Sequence, residues 1–126
     1  MSSRAASESF TIAIVGPCAS GKTTLARGLE GYGIRARQVV QEHSYVPRMW
    51  QIIAKPDLLI YLEASFQACS NRKHLNWGRQ DYDEQLRRLT HARENFDILV
   101  ETDMLSESAV LDEVLSELRA RQVVSS

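Results

Sequence analysis

The sequence feature that most constrains the fold is the stretch from Gly16 to Thr23, which reads GPCASGKT. Its pattern is G-x-x-x-x-G-K-T. The glycines allow the backbone to curl so that consecutive N–H groups point toward one anion. A helix that begins at the end of such a loop adds the positive end of its dipole. Lys22 adds a full positive charge, and the Thr23 hydroxyl is placed to bind Mg²⁺.

The segments on either side of this stretch match the structural context of a phosphate-binding loop. Residues 10–15 form an apolar, β-branched run, which is typical of a strand buried on both faces of a parallel sheet. Residues 24–32 carry apolar side chains at helical spacing, and Gly31 favours a helix end. Strand, loop and helix therefore occur in order, which identifies a P-loop. The residues expected to hold phosphate are Gly16, Pro17, Cys18, Ala19, Ser20, Gly21, Lys22, Thr23 and Thr24.

Composition limits the class of protein. The 126 residues are 44% hydrophobic, which is enough for one domain with a single packed core. The formal charge is −1, from 15 basic and 16 acidic residues, and gives no electrostatic case for binding nucleic acid or a membrane. The sequence has no apolar run of membrane-spanning length and no signal-peptide pattern. We therefore expect Cys18 and Cys69 to be free thiols in a reduced, cytoplasmic compartment.

Hydrophobic patterns divide the chain into alternating strands and helices. Residues 1–9 are polar and expected to form a flexible tail. The patterns predict strands at residues 10–15, 34–41, 57–62 and 96–101. They predict helices at residues 24–32, near Pro47, at residues 66–75, at residues 81–95 and after the cap Ser106. This order predicts one P-loop domain over residues 10–126, an α/β three-layer αβα sandwich around a mostly parallel sheet of about four strands.

The predicted sheet brings several loops to one edge, because ligands of such sheets bind at the carboxyl ends of the strands. Glu42 comes just after the second predicted strand, where its carboxylate can hold an Mg²⁺-bound water or accept a proton. We therefore expect Thr23 and Glu42 to hold Mg²⁺, partly through water. Glu63 has the equivalent place one strand further on and is the alternative carboxylate.

A polar and aromatic cluster follows the second predicted strand. Its members are His43, Tyr45, Arg48 and Trp50. The cluster is a candidate lining for the pocket of a small-molecule phosphate acceptor. Alternatively, a single histidine such as His43 is a structural residue satisfied by its neighbours. The spacing of ligand-type residues indicates no metal site beyond the Mg²⁺ that accompanies a nucleotide.

The chain resembles small P-loop kinases of the adenylate-kinase and nucleoside-kinase type over most of its length. The segments that carry the resemblance are GPCASGKTTL, DLLIYLEAS and ILVETDMLSESAVLDEVLSEL. The resemblance implies an ATP- or GTP-binding protein that uses Mg²⁺ and transfers a phosphoryl group to a small molecule. The stretches QEHSYVP, MWQ and RKHLNWG also resemble a set of small bacterial proteins without a firm function.

The kinase resemblance also implies roles for residues outside the P-loop. Those near the nucleobase would be Arg72, Thr102, Asp103 and Met104. The candidate catalytic residues are Lys22, Glu42, Arg72 and Arg79. Residues 72–80 occupy the position of the family's lid. We expect the two lid arginines to lack a partner in the free protein, so that the lid closes when nucleotide supplies one.

The chain departs from these kinases between the second and third predicted strands. Only residues 42–56 lie there, and the helical segment that clamps the acceptor is missing together with one strand. The resemblance therefore does not identify the acceptor. Two alternatives to phosphoryl transfer stay open: nucleotide hydrolysis coupled to a conformational change, and a regulatory module that holds nucleotide without turnover. The sequence leaves the oligomeric state open.

Overall fold

Four parallel strands form the sheet in the computed structural model, which describes residues 10–73 and 77–121. The strands are β1 (Ile12–Val15), β2 (Ala36–Gln38), β3 (Leu58–Glu63) and β4 (Ile98–Glu101). Their order in the sheet is β2-β1-β3-β4, and each neighbouring pair is parallel. The predicted α/β class is therefore confirmed. The expected tail at residues 1–9 and the end of the helix predicted at residues 66–75 lie outside the described residues.

Helices connect each strand to the next, as parallel pairing requires. They are α1 (Lys22–Glu30), a 3₁₀ turn (Gln41–His43), α2 (Met49–Ala54), α3 (Phe66–Lys73), α4 (Arg79–Arg88), α5 (Thr90–Arg93) and α6 (Glu107–Ala120). The predicted cap of the last helix is confirmed, because the Ser106 hydroxyl accepts a hydrogen bond from Ala109 N. Of the helices described, none has the length and apolar character needed to cross a membrane.

Side chains of the strands alternate between two apolar clusters on opposite faces of the sheet. Ile12 and Ile14 pack with residues of α1 and α6, whereas Ala13 and Val15 pack with residues of α2 and α5. All four residues of β1 are wholly buried, as expected for a central strand of a parallel sheet. Helices thus cover both faces, an arrangement compatible with a three-layer αβα sandwich.

The second strand is shorter than predicted. It ends at Gln38, although the apolar pattern extends to residue 41. Val39 still donates its N–H to Ile14 O, but the chain then turns into the 3₁₀ helix, in which His43 N donates to Val40 O. This tight turn places Glu42 at the carboxyl end of β1 and not further along an edge strand.

The helix predicted at residues 81–95 begins earlier and is divided in two. It begins at Arg79 because the Asp81 carboxylate accepts a hydrogen bond from Gly78 N and caps the first turn. It is interrupted at Leu89, whose side chain is wholly buried and whose N–H is shared between the carbonyls of Gln85 and Leu86. The short α5 then continues on the face of the sheet to which Ala13 and Val15 point.

Candidate functional site

The strand order places a crevice at residues 16–24, the segment that carries the P-loop sequence pattern and is named the P-loop for that pattern alone. The chain runs from β1 to β2 on one side and then to β3 and β4 on the other, so the order reverses between β1 and β3. In open parallel sheets, ligands bind outside the carboxyl ends of the strands at such a point. The P-loop leaves β1 at this position, next to the end of β3.

The P-loop lies tightly against β3. A Cβ atom on Gly16 would be 2.5 Å from the carbonyl oxygen of Leu62 and 2.8 Å from Ser20 Oγ, so only glycine fits. Ala19 has a left-handed backbone with φ 65, and Gly21 has φ 101 at the start of α1. Within residues 10–73 and 77–121, no side chain caps that start. The first N–H groups of α1 are therefore available to solvent or a ligand.

We expect Gly16→Ala to lower the free energy of unfolding by about 1–3 kcal/mol, the usual result of forcing an atom into a packed position. The added Cβ must push the backbone of β3 away from the loop. Gly78→Ala is a matched control, because its Cβ would come no closer than 4.0 Å to the Asp81 carboxylate. That control should change stability by less than about 0.5 kcal/mol. Urea denaturation measures both, and equal losses would contradict the close approach at Gly16.

Lys22 extends its side chain back into the P-loop. Its Nζ donates hydrogen bonds to Gly16 O at 3.0 Å, to Pro17 O at 3.1 Å and to Glu42 Oε2 at 2.9 Å. The side chains of Lys22 and Glu42 are only 6% and 3% exposed. All three N–H bonds of the ammonium are thus used, two by carbonyls of the loop and one by Glu42. A phosphate bound there would have to compete with these oxygen atoms for Lys22.

Two buried oxygen atoms near the P-loop have no hydrogen-bond partner among the described residues. They are Ser20 Oγ, in the loop, and Glu42 Oε1. Buried polar atoms are nearly always paired, so such atoms indicate a place for water, an ion or a ligand. The carboxylate of Glu42 therefore has one oxygen bound to Lys22 and one oxygen available.

Cys18, inside the P-loop, is held between Gln85 and His43. Gln85 Oε1 accepts a hydrogen bond of 2.9 Å from Cys18 N, and Gln85 Nε2 lies 3.1 Å from Cys18 Sγ. His43 Nε2 lies 3.3 Å from the same sulfur. Gln85 was not among the residues predicted for the site. Its position indicated a role, because Gln85 lies three residues after Tyr82 on the buried stripe of its helix, where a polar side chain needs a partner.

Arg72 connects α3 to the P-loop and to the loop after β4. Its guanidinium donates to Ala19 O at 3.0 Å, to Thr102 O at 3.0 Å and to Thr102 Oγ1 at 3.3 Å. The prediction that Arg72 lacks a partner is therefore wrong, because backbone carbonyls of two loops supply acceptors. A cavity of about 340 Å³ adjoins these contacts. Its lining residues are Ala19, Ser20, Gly21, Thr24, Leu25, Arg72, Thr102, Leu105, Glu107 and Val110.

Arg79 also has partners, contrary to the sequence prediction. It pairs with Asp83 at 3.2 Å, and its guanidinium lies 5.7 Å from the ring centre of Phe66 and 5.8 Å from that of Tyr82. These rings form an aromatic cluster with Trp77. Arg72 and Arg79, near the two ends of the predicted lid at residues 72–80, are thus both bound to other residues. The centre of the predicted lid, residues 74–76, lies outside the described residues.

The residues after β4 differ in their surroundings. Asp103 accepts a hydrogen bond of 2.9 Å from Ser65 N, and hydrogen bonds from the Ser65 hydroxyl and backbone lower the pKa of Asp103 below its ordinary value. Met104 is 93% exposed. Both line a larger cavity of about 1030 Å³, which reaches the P-loop at Pro17. Thr102 and Arg72 instead line the smaller cavity, so the four predicted base-binding residues divide between two cavities.

The four residues predicted to line an acceptor pocket have different surroundings. Trp50 lies in the core, 5% exposed, and donates from Nε1 to His91 Nδ1. The wholly buried Gln41 holds the start of α2, because its amide oxygen accepts from Trp50 N and its amide nitrogen donates to the carbonyls of Val46 and Arg88. Tyr45 is exposed with a guanidinium over its ring, and Arg48 donates to Gln51. Only His43 of the four contacts the P-loop.

Glu63, the alternative carboxylate, is engaged elsewhere. It pairs with Arg93 at 3.0 Å. The Arg93 guanidinium also lies over the rings of Tyr61 and Phe96. Arg93 was not among the predicted residues. This pair stands at the end of β3 and lines the larger cavity, whereas Glu42 binds the ammonium of Lys22 in the P-loop.

Comparison with known proteins leaves the site to be interpreted from its own geometry. No protein-family model matches the chain, and no curated protein matches it. The site consists of a glycine-containing loop between β1 and α1, an enclosed ion pair of Lys22 and Glu42, and an adjoining cavity. These features define a candidate anion site in a parallel α/β protein.

Proposed function

We propose that the protein binds ATP or GTP together with Mg²⁺, that the P-loop holds the phosphates, and that the fold is of the P-loop NTPase type. The observation that carries this proposal is the enclosed ammonium of Lys22, inside a tight loop where the strand order reverses. A lysine there adds a point charge to phosphate binding, and the uncapped start of α1 adds N–H groups.

The smaller cavity supports a place for the nucleoside. Its volume of about 340 Å³ lies within the range of about 300–1,000 Å³ that is usual for ligand pockets. Leu25 and Val110 offer apolar contact for a planar base, and Arg72 offers a guanidinium. Arg72 and Thr102 are residues that the kinase resemblance assigns to the nucleobase. This agreement favours the smaller cavity over the larger one, which touches the P-loop only at Pro17.

The oxygen atoms near the P-loop suit Mg²⁺, which prefers oxygen ligands and keeps several waters. Glu42 Oε1 is buried without a partner among the described residues, and the Thr23 side chain is exposed in the first turn of α1. Glu42 and Thr23 would hold the ion, partly through water. The ion would supply neutralisation of phosphate charge.

Phosphoryl transfer to a small molecule is the activity that we propose for the bound nucleotide. Transfer requires charge neutralisation, positioning and, for an alcohol acceptor, a base. Lys22 supplies positive charge, and Glu42 is a carboxylate that lies 2.9 Å from it. Arg72, already hydrogen-bonded to the P-loop, is the arginine placed to contact phosphate oxygens. Arg79 would reach them only by leaving Asp83.

A regulatory module that holds nucleotide, or a hydrolase without an acceptor, is the second candidate. The observation in its favour is the different environment of the predicted acceptor residues, since Trp50 is a core residue and Tyr45 is 83% exposed. Acceptor-stimulated consumption of ATP would separate a transferase from a hydrolase. Any turnover would separate a hydrolase from a binding module. A thermal-shift screen of metabolites with and without Mg-ATP is the experiment that identifies an acceptor.

Calorimetry with Mg-ATP and Mg-GTP tests nucleotide binding directly. We expect Lys22→Met to weaken binding by roughly 10- to 150-fold, because it removes a charge-assisted contact of about 1.5–3 kcal/mol. Lys55→Met, at an exposed lysine, is the control and should leave the affinity unchanged. Circular dichroism must first show that each variant is folded at the temperature used. Equal affinities of Lys22→Met and the parent protein would overturn the assignment of Lys22.

A further inference from the structure

A cysteine of the P-loop converges with a glutamate and a histidine of the 3₁₀ turn, and the glutamate is also the residue proposed above to hold Mg²⁺. Cys18 Sγ lies 3.3 Å from His43 Nε2 and 4.0 Å from Glu42 Oε2, and the last two atoms are 3.8 Å apart. The three residues form the Cys18–Glu42–His43 cluster, whose ligand atoms all lie within 4.8 Å of one another. Cys18 comes from the loop after β1, and the other two come from the 3₁₀ turn after β2.

These separations are close to those of a tetrahedral transition-metal site. Bonds of about 2.3 Å to sulfur and about 2.0–2.1 Å to nitrogen or oxygen place ligand atoms about 3.3–3.6 Å apart. Each of the three observed separations lies within about 0.5 Å of that spacing. The donor set is also informative, because sulfur and imidazole nitrogen favour Zn²⁺ and similar ions, whereas Mg²⁺ favours oxygen.

The surroundings of the cluster suit a bound cation. The His43 side chain is 54% exposed, which gives an ion a path to the site. Gln85 Nε2 lies 3.1 Å from Cys18 Sγ, where it can donate to a metal-bound thiolate, and Gln85 Oε1 fixes the Cys18 backbone. The Lys22 ammonium opposes a second cation, and it donates to Glu42 Oε2, the oxygen from which the separations above are measured, so the ion would share this carboxylate with Lys22. The buried Oε1 has no partner among the described residues and is available to an ion.

We propose that Cys18, Glu42 and His43 bind a thiophilic divalent cation, with Zn²⁺ as its representative, and leave a fourth position for water. Cys18 binds as the thiolate, and its proton passes to solvent. Three protein ligands with one open position is the arrangement of zinc sites that are accessible to further ligands. Cys69 does not take part, because it is wholly buried in α3 and burial raises the pKa of its thiol to about 11.

Occupancy of this site would affect nucleotide binding, a consequence that rests on the proposed function. The cation would hold Glu42 and the sulfur of the P-loop, both of which must adjust when phosphate and Mg²⁺ enter. Binding of the thiophilic cation and binding of nucleotide with Mg²⁺ should therefore exclude each other. A thiophilic cation bound at the cluster would act as an inhibitor of nucleotide binding.

The experiment titrates the full chain, freed of metal by a chelator, with Zn²⁺ in the absence of nucleotide. Calorimetry should show one ion per chain, and Co²⁺ should give the near-ultraviolet absorption band of cobalt–thiolate coordination. Cys18→Ser and His43→Gln should each weaken Zn²⁺ binding at least about 100-fold, more than the typical loss of an outer-shell partner. Cys69→Ala is the matched control and should bind Zn²⁺ as the parent protein does.

The outcomes separate this inference from the proposed function. Absence of one-to-one binding, absence of the cobalt–thiolate band, or unchanged binding by His43→Gln would overturn the metal site; that variant alters an exposed side chain and so should fold. One equivalent of Zn²⁺ should weaken binding of Mg-ATP at least about 10-fold by competition for Glu42, and less so in His43→Gln. Zn²⁺ binding without any nucleotide binding would instead overturn the proposed function and leave the metal site standing.

Discussion

Lys22→Met is expected to lower the free energy of unfolding by about 3–5 kcal/mol, because it leaves the enclosed Glu42 carboxylate without its charged partner. The ion pair is 2.9 Å long, and both side chains are almost fully buried. Methionine preserves the length of the side chain, so the loss reports the missing charge and hydrogen bonds more than a cavity. Urea denaturation of the full chain measures this difference.

A double-mutant cycle distinguishes the buried charge from other effects of the substitution. The double variant Lys22→Met/Glu42→Gln should be clearly more stable than Lys22→Met, because the unpaired carboxylate is gone. Lys55→Met, at an exposed lysine, should change stability by less than about 0.5 kcal/mol. If Lys22→Met is as stable as the parent protein, the ion pair does not support the fold. Strict additivity in the cycle would mean that Lys22 and Glu42 are not coupled.

Glu42→Gln is expected to lower phosphoryl-transfer turnover by at least roughly 10²-fold, the usual size of an acid–base contribution. The variant should stay folded, because Lys22 keeps its hydrogen bonds to the Gly16 and Pro17 carbonyls. Nucleotide binding should change far less than turnover, since the amide oxygen of glutamine can still accept a hydrogen bond from Lys22 or act as a neutral ligand of Mg²⁺. Turnover with the acceptor found in the metabolite screen and calorimetry with Mg-ATP measure the two effects separately.

Glu63→Gln is the matched control for this prediction. Glu63 ends β3 and pairs with Arg93, so its loss should leave turnover largely unchanged. A turnover defect in Glu63→Gln, together with normal turnover in Glu42→Gln, would move the role of base to Glu63. A parent protein that binds nucleotide tightly but consumes none, with any acceptor, would favour the regulatory module instead.

Local patterns in the sequence were sufficient for the α/β class of the fold and for the position of the loop at residues 16–24. The apolar run before Gly16 predicted the central strand, and the strand–loop–helix order is present in the structure. The rule that loops meet at the carboxyl ends of parallel strands correctly brought Glu42 to the P-loop. Ser106 was recognised as a cap because capping involves only the next few residues. In each case the interaction is local, or follows from the regular geometry of a sheet.

Contacts between distant parts of the chain could not be predicted in the same way. The Cys18 backbone binds Gln85 across 67 positions, and Arg72 binds Ala19 across 53. Trp50 was predicted to line a pocket, but it lies in the core, where its backbone N–H donates to the buried amide of Gln41. Such contacts depend on how several helices pack against both faces of the sheet, and hydrophobic periodicity describes each helix separately. The partners of Cys18 and Arg72 therefore follow from packing. The loop itself and the approach of Glu42 to Lys22 follow instead from local sequence and from the regular geometry of a parallel sheet.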